Sequence, residues 1–371
     1  MKNICMLTTS EIFHDSRILN EAKTLCAKYK VTVIARKYPK EKRQKYPFRI
    51  KLIDYLKMPF FQLNIFSSFF SLMRAAFREN PDIYHAHDLD GLLCLFLAAL
   101  IKRKILIYDS HELWSDTYPF TNLKGIQWLL PTLEKLLIWR IDKGITVNES
   151  LAFYLQKKYH KNFLALYNVI DINQSKKSPY NLRRLYPAKK IILHLGAADE
   201  GRGMEEMITA AQYLSKEYVL IFIGGGKTEN QTKSQVKKLG LENKVQFLPV
   251  VLPGEIIATI KQADLGLALT QKISLSYYYS LPNKIFQYIA AKTPLLGSNF
   301  PEFKKIILKN GIGEVVDPNK PKLIAQKIVE MSGKNLQNKY HRNLEGLVET
   351  HYNWDVEAKK LIEFYGKIES K

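Results

Sequence analysis

Three observations predict an α/β chain built from two Rossmann-like, doubly wound domains. Short β-branched runs alternate with longer amphipathic stretches, the alternation restarts half-way along the chain, and a polar, helix-poor segment separates the two series. In the first series the expected strands are residues 3–8, 31–35, 50–52, 83–86, 105–110 and 144–147, with helical patterns over 16–28, 65–78, 89–101 and 126–141. Strands separated by helices of this length form βαβ units, whose right-handed crossovers give a parallel sheet covered on both faces. The second series has expected strands at 190–196, 218–223, 244–248, 265–269, 293–297 and 314–316. The linker is placed in the stretch from Asp171 to Pro187. The chain closes on an amphipathic helix, 353–368, whose apolar residues include Trp354, Leu361, Ile362 and Phe364.

The length, 371 residues, suits two such domains, because single cores rarely grow beyond about 250–300 residues. Three cysteines, Cys5, Cys26 and Cys94, show no metal-binding spacing and no disulfide framework, and read as buried reduced thiols of a cytoplasmic protein. The longest uncharged apolar run, Gly91 to Ile101, is well short of the roughly 20 residues of a membrane span, and is read as a core helix. The net charge of +21 calls for an anionic partner: nucleic acid, an acidic membrane surface or a phosphorylated substrate. It is spread evenly, with no detached basic arm, no aromatic RNA-binding motif and no zinc-finger spacing, so nucleic acid is not the expected partner.

Two segments of the second half carry phosphate-binding chemistry. Residues 280–298 read SLPNKIFQYIAAKTPLLGS. Pro282 stands at a helix start where its missing N–H costs nothing, leaving the N–H groups of Asn283 and Lys284 unpaired. A capped core helix with polar surface residues would show the same pattern. Residues 194–203 read HLGAADEGRG, a strand, a glycine-containing turn and a helix start with Arg202 inside it. An arginine at such a turn can grip phosphate bidentately, or can simply be solvated.

These segments resemble the glycosyltransferase family 4 group of retaining, GT-B-fold enzymes. This chain matches most of the family run S-L-P-N-K-hydrophobic-F-E-Y-hydrophobic-A-A-G-hydrophobic-P, but its ribose-binding glutamate is Gln287 and its glycine is Lys292. The family's other glutamate falls on Tyr279, so the usual pair is absent. The resemblance implies donor-binding roles for Gly196, Arg202, Asn283, Lys284, Gln287 and Tyr279. Arg202 takes the place of the diphosphate-binding cation. A second cation common after the first glycine is Ala197 here.

In the first half, Thr8 to Arg17 resembles the family's H-D-S-R loop facing the donor sugar, which implies cleft positions for Asp15 and Arg17; capping of the next helix by Asp15 or Ser16 is the alternative. Tyr108 to Leu113 reads YDSHEL, where the family's histidine, His111, points at the transferred sugar and Glu112 follows it. His85-Ala86-His87-Asp88 matches the less specific H-x-H-D segment and adds His87. A histidine at a strand end is often structural, but two such clusters stand on successive βα loops.

The resemblance implies two domains facing across a cleft: 1–173 with the final helix, 355–371, crossing back to it, as the acceptor domain, and 174–354 as the nucleotide-sugar domain. It also implies a retaining hexosyltransferase that uses a UDP- or GDP-sugar as co-substrate and acts on a cell-surface glycan or lipid-linked acceptor. His111 and Arg202 are its expected catalytic residues. No H-E-x-x-H or suitable D-x-D loop exists, and with Arg202 and Lys284 at the phosphates no obligatory metal or other cofactor is expected. The same fold admits a sugar-nucleotide epimerase, and a different class admits a non-catalytic polyanion-binding protein.

Residues 36–57 hold nine Lys or Arg against Glu41 and Asp54, and the phenylalanine-rich stretch 58–77 follows at once. Basic residues beside exposed aromatics form an interfacial membrane patch, whereas buried aromatics would make it core. The expectation is an anionic membrane partner for residues 36–77, hence a cytoplasmic protein with peripheral docking on the inner face of the plasma membrane.

Overall fold

The computed structural model describes residues 1–38, 45–56, 60–116, 126–170 and 176–369. The chain forms two compact units, Met1–Asn168 with Glu357–Lys371, and Val169–Val356.

The first unit is a sheet of seven parallel strands: β1 (Asn3–Thr8), β2 (Lys30–Arg36), β3 (Arg49–Ile53), β4 (Ile83–His87), β5 (Ile105–Ser110), β6 (Lys143–Thr146) and β7 (Phe163–Ala165), in the order β3-β2-β1-β4-β5-β6-β7. Its central strands are buried on both faces, so their side chains are apolar in unbroken runs: Ile4 to Leu7 are all buried. β7 was not expected; with three residues it is too short to show a pattern. The order of strands reverses between β1 and β4, so their carboxyl ends open the crevice where such sheets bind ligands.

The helices follow their signals. Ser16–Leu25 begins where Asp15 accepts from the Ile18 N–H at 3.2 Å, and Glu149–Tyr159 begins where Asn148 accepts from Leu151 N–H at 2.8 Å. The C-terminal helix, Trp354–Glu369, sends Tyr365 into the first unit, where its hydroxyl meets His85 Nδ1 at 2.8 Å.

The second unit has six parallel strands: β8 (Lys190–Leu195), β9 (Tyr218–Ile223), β10 (Val245–Leu248), β11 (Leu265–Ala268), β12 (Leu295–Ser298) and β13 (Gly313–Val316), in the order β10-β9-β8-β11-β12-β13. Here the order reverses between β8 and β11. Its core joins Ile192, Leu220, Phe222, Leu265 and Leu267 to Met207 and Ile208 of the helix Met204–Ala211. A short helix, Leu182–Leu185, lies inside the stretch expected to be helix-poor.

Two cysteines are buried as expected, but Cys26 is partly exposed. It stands at the C-terminal end of its helix, where its thiol donates to the Lys23 carbonyl at 3.0 Å. The run Gly91 to Ile101 lies within a core helix, Asp88–Ile101, but Leu97, Leu100 and Ile101 face outward.

Candidate functional site

In the first unit the polar residues at the strand ends form one network. Every residue of β4 is buried, and alternation along the strand puts His85 and His87 on the same face, with rings stacked at 4.4 Å. His87 Nδ1 lies 3.3 Å from His111 Nε2, which lies 3.1 Å from Asp109 Oδ2. Arg17 holds Asp109 in a bidentate grip: Nε to Oδ2 at 2.9 Å and Nη2 to Oδ1 at 2.8 Å. Its Nη1 donates to the Leu166 carbonyl at 2.7 Å, and Nε is 3.1 Å from Glu21 Oε1. Arg17 and His87 are thus buried beneath His111, which keeps 19% exposure.

Asp88 supports His111 from the other side. It adopts φ 59°, a left-handed conformation uncommon for a residue with a side chain. Its Oδ1 accepts from the His111 backbone N–H and from Trp114 Nε1, both at 2.9 Å, while Oδ2 lies 3.4 Å from His111 Nδ1. Burial alone would lower the His111 pKa, but the carboxylates of Asp88 and Asp109 raise it to about 10, so the ring is an imidazolium at neutral pH. Burial also opposes ionisation of Asp109, yet Arg17 and then His111 hold it well below the usual carboxylate range. Glu21 goes the other way, raised by burial and by the charge on Asp109.

Asp15 spends one carboxylate oxygen on its helix cap and accepts from Ser10 Oγ with the other, at 3.1 Å. Glu112 is exposed in the turn after β5. Glu21, His85, His87 and Asp109 have ligand-capable atoms within 4.8 Å of one another. The Arg17 guanidinium already contacts both of those carboxylates.

From the sequence, site roles fall to Arg17, His87 and His111 but not to Asp109, Asp88, Glu21 or Tyr365. The signal for Asp109 was available: a carboxylate inside an otherwise apolar buried strand must have a cationic partner. Tyr365 carried no such signal, since it is one apolar residue among several on its helix.

In the second unit the carboxyl end of β8 turns at Gly196, whose φ is 138°. A Cβ there would lie 3.1 Å from Lys284 Nζ, so glycine lets the lysine fold across the turn. Lys284 Nζ is 3.1 Å from His194 Nε2. Arg202 lies in the turn after β8, with its guanidinium carbon 5.1 Å from the centre of the Tyr277 ring and a buried Nε that has no hydrogen-bond partner. Gly203, with φ 67°, caps the helix Met204–Ala211, and a Cβ on it would come within 2.6 Å of the Leu269 carbonyl. Arg202 and Lys284 have no carboxylate partner among the described residues; the side chain that meets Lys284 is His194. Asn283 and Gln287 flank Lys284 at the start of the helix Lys284–Ala290; Tyr279 ends the preceding helix, edge-on to Tyr278 at 5.2 Å.

Two all-parallel, doubly wound sheets, each with its polar groups gathered at the carboxyl ends of the strands, define a GT-B-type α/β protein. Two family models match the chain: Glycosyltransferase Family 4 over residues 16–174, and Glycosyl transferases group 1 over residues 183–345. The chain belongs to these family 4-type glycosyltransferases. It is 33% identical over 167 residues to an uncharacterized glycosyltransferase of Haemophilus influenzae, a match spanning 43% of each chain. It is 20% identical over 295 residues to a phosphatidyl-myo-inositol mannosyltransferase of Mycobacterium leprae, covering 76% of this chain and 73% of that one. The crystal structure of HepE from Anabaena in complex with UDP shares the fold, with a TM-score of 0.76 at 15% identity, over 98% of this chain and 100% of that one.

Proposed function

We propose that the chain transfers a hexosyl group from a UDP- or GDP-sugar to a cell-surface glycan or its lipid-linked precursor, with retention of anomeric configuration. One observation carries this reading. Arg202 lies in the turn after β8 and Lys284, from a separate element of the second unit, folds its amine across Gly196 in that same turn. There burial and then the charge on Arg202 depress the Lys284 pKa, and neither residue has a carboxylate partner among the described residues. Two such cations at a glycine turn fit a diphosphate. The likeness to a UDP-bound fold and to a lipid-directed mannosyltransferase supports the same reading.

In this reading Arg202 and Lys284 neutralise the diphosphate as the glycosidic bond breaks, so no metal is obligatory. The Asn283 N–H adds to the phosphate contacts, Gln287 bonds the ribose hydroxyls, and Tyr279 stands where the family has its other glutamate. The first unit holds the acceptor, and His111, kept cationic and fixed by Asp88 and Asp109, is its contribution to catalysis. Asp15 and Glu112 line its approach, with Arg17 and His87 as their buried support. The test is NMR of the product formed from an α-linked donor in the presence of EDTA. An α-linked product is expected; an inverted product, or an isomerised donor without transfer, would overturn the proposal.

The membrane expectation gains a surface. Lys40, Glu41, Lys42, Arg43, Lys57, Met58 and Pro59 lie outside the described residues, and Lys37 and Lys51 are paired with Asp54 and Glu79. The helix Phe61–Arg78 is two-sided: Phe69, Leu72 and Ala76 pack into the core, while Leu63, Phe66, Phe70 and Phe77 face outward. It packs on Asp88–Ile101, which packs on Ile126–Arg140. Those helices add exposed Leu97, Ile101, Leu136 and Trp139. Arg74, Arg78, Arg103 and Lys135 stand among these residues, and the one acidic residue in the described part of Ile126–Arg140, Glu134, is buried. An apolar face with basic residues suits an anionic bilayer and would repel a second copy of itself. Co-sedimentation with phosphatidylglycerol vesicles is expected, weakened by salt and by the pair Phe66→Asp and Phe70→Asp. Binding to neutral vesicles equally well, or a salt-indifferent dimer in place of vesicle binding, would contradict it.

A further inference from the structure

We propose that His194 is a positioning residue of the donor site: its Nε2 holds the Lys284 amine over the Gly196 turn, and the pair takes up one proton from solvent when a diphosphate arrives. The inference rests on the donor-site reading above and concerns how that site is built.

The geometry is specific. His194 belongs to β8, at the reversal point of the sheet, and is 1% exposed. Its ring faces Phe222 on one side, with centroids 5.6 Å apart, and its Nε2 stands 3.1 Å from Lys284 Nζ. The lysine chain runs so close to Gly196 that a Cβ there would lie 3.3 Å from Cε. The amine is therefore fixed from two sides, by an acceptor and by a turn with no side chain.

The charged and titratable groups that face Lys284 are His194 from β8 and Arg202 from the following turn. Neither is an anion. Burial, then the cations Lys284 and Arg202, keep the imidazole neutral, well below its ordinary pKa. A neutral Nε2 accepts from either the ammonium or the amine, so the contact survives a change of charge on the lysine. Burial and Arg202 bring Lys284 down to about 7, leaving much of it as amine in the free protein near neutral pH.

An incoming diphosphate favours the ammonium. Above about pH 7 the proton must come from solvent, while well below it the lysine already carries one. Affinity is then flat in acid and falls as pH rises, by up to about tenfold per pH unit.

The experiment is calorimetric titration of the full chain with UDP-glucose, and with GDP-mannose, in pairs of buffers differing in ionisation enthalpy. Each phosphorus of these probes has one ester oxygen, the shared anhydride oxygen and a single strongly acidic hydroxyl, so the phosphates contribute no titrating proton of their own between about pH 6 and about pH 8.5. The expected uptake is about one proton per bound molecule near pH 8.5 and about zero near pH 6. Lys284→Gln should abolish the uptake. His194→Phe should weaken binding about tenfold, as loss of a hydrogen bond to a charged group does, and His194→Gln, which keeps an acceptor, should recover most of it. Should His194→Phe fail to fold, the proton counts of Lys284→Gln and His194→Gln decide. Binding without pH-dependent uptake, uptake unchanged in Lys284→Gln, or wild-type affinity in a folded His194→Phe would overturn the inference and leave the donor site standing. Failure of both nucleotide sugars to bind would overturn the donor-site reading and this inference with it.

Discussion

Replacing Arg202 with alanine is expected to lower sugar-transfer turnover by about 10²–10³-fold, the cost of removing one preorganised donor from a developing charge. The side chain lies over the Tyr277 ring and its buried Nε lacks a hydrogen-bond partner, so that donor gives up no protein contact when a ligand arrives. Its loss is therefore expected to fall on the diphosphate and not on folding. Arg202 has no ion-pair partner among the described residues, so the thermal midpoint should change little. Steady-state kinetics on Arg202→Ala beside a melting curve checks both halves. Near-normal turnover would remove Arg202 from the mechanism.

The second large effect is on stability. Arg17→Met leaves Asp109 buried without its guanidinium, and should destabilise the first unit by about 3–5 kcal/mol, on the order of 10 °C in melting temperature. Asp109 is fully buried and Arg17 2% exposed, so solvent does little to screen the pair. Adding Asp109→Leu to Arg17→Met should return part of the loss, because no orphaned charge then remains. The pH dependence has a definite sign. The Asp109 pKa is depressed in the folded state, so its share of stability is present above about pH 4, its unfolded value, and is lost as pH falls through the folded one. Arg17→Met should lack that share at neutral pH. Thermal unfolding of the three proteins at neutral and acid pH measures this; equal midpoints at neutral pH would show that the pair is not a support of the fold.

The fold was legible because its strands are buried on both faces. Runs such as Ile4 to Leu7 and Tyr218 to Ile223 have no competing reading once helices of the right length separate them. β7 escaped because three residues show no period. The glycine turn after β8 was legible through Gly196, Arg202 and Lys284, whose types and order limit what the backbone can do there. Much less of the first-unit site could be read. Its residues come from β4 and β5, from the turn after β5, from the helices Ser16–Leu25 and Asp88–Ile101, and from Tyr365 about 280 residues away from His85 in sequence. Sequence spacing has no means of showing that Arg17 closes on Asp109, or that His194 meets Lys284 across two elements. The phenylalanine helix was ambiguous for a different reason. Composition treats core and surface aromatics alike, and only the spacing of three, four and seven residues through Leu63, Phe66, Phe70 and Phe77 separates the outward stripe from Phe69 and Leu72.

The central claim is that the second unit captures a nucleoside diphosphate through Arg202 and Lys284. Calorimetric titration of wild type and of Arg202→Ala with UDP and with GDP, at neutral pH and with EDTA present, tests it most directly. Saturable one-site binding of one of the two nucleotides, weakened at least about tenfold in the variant, is the predicted result. Equal affinity in the two proteins, or no binding of either nucleotide to the wild type, would contradict it.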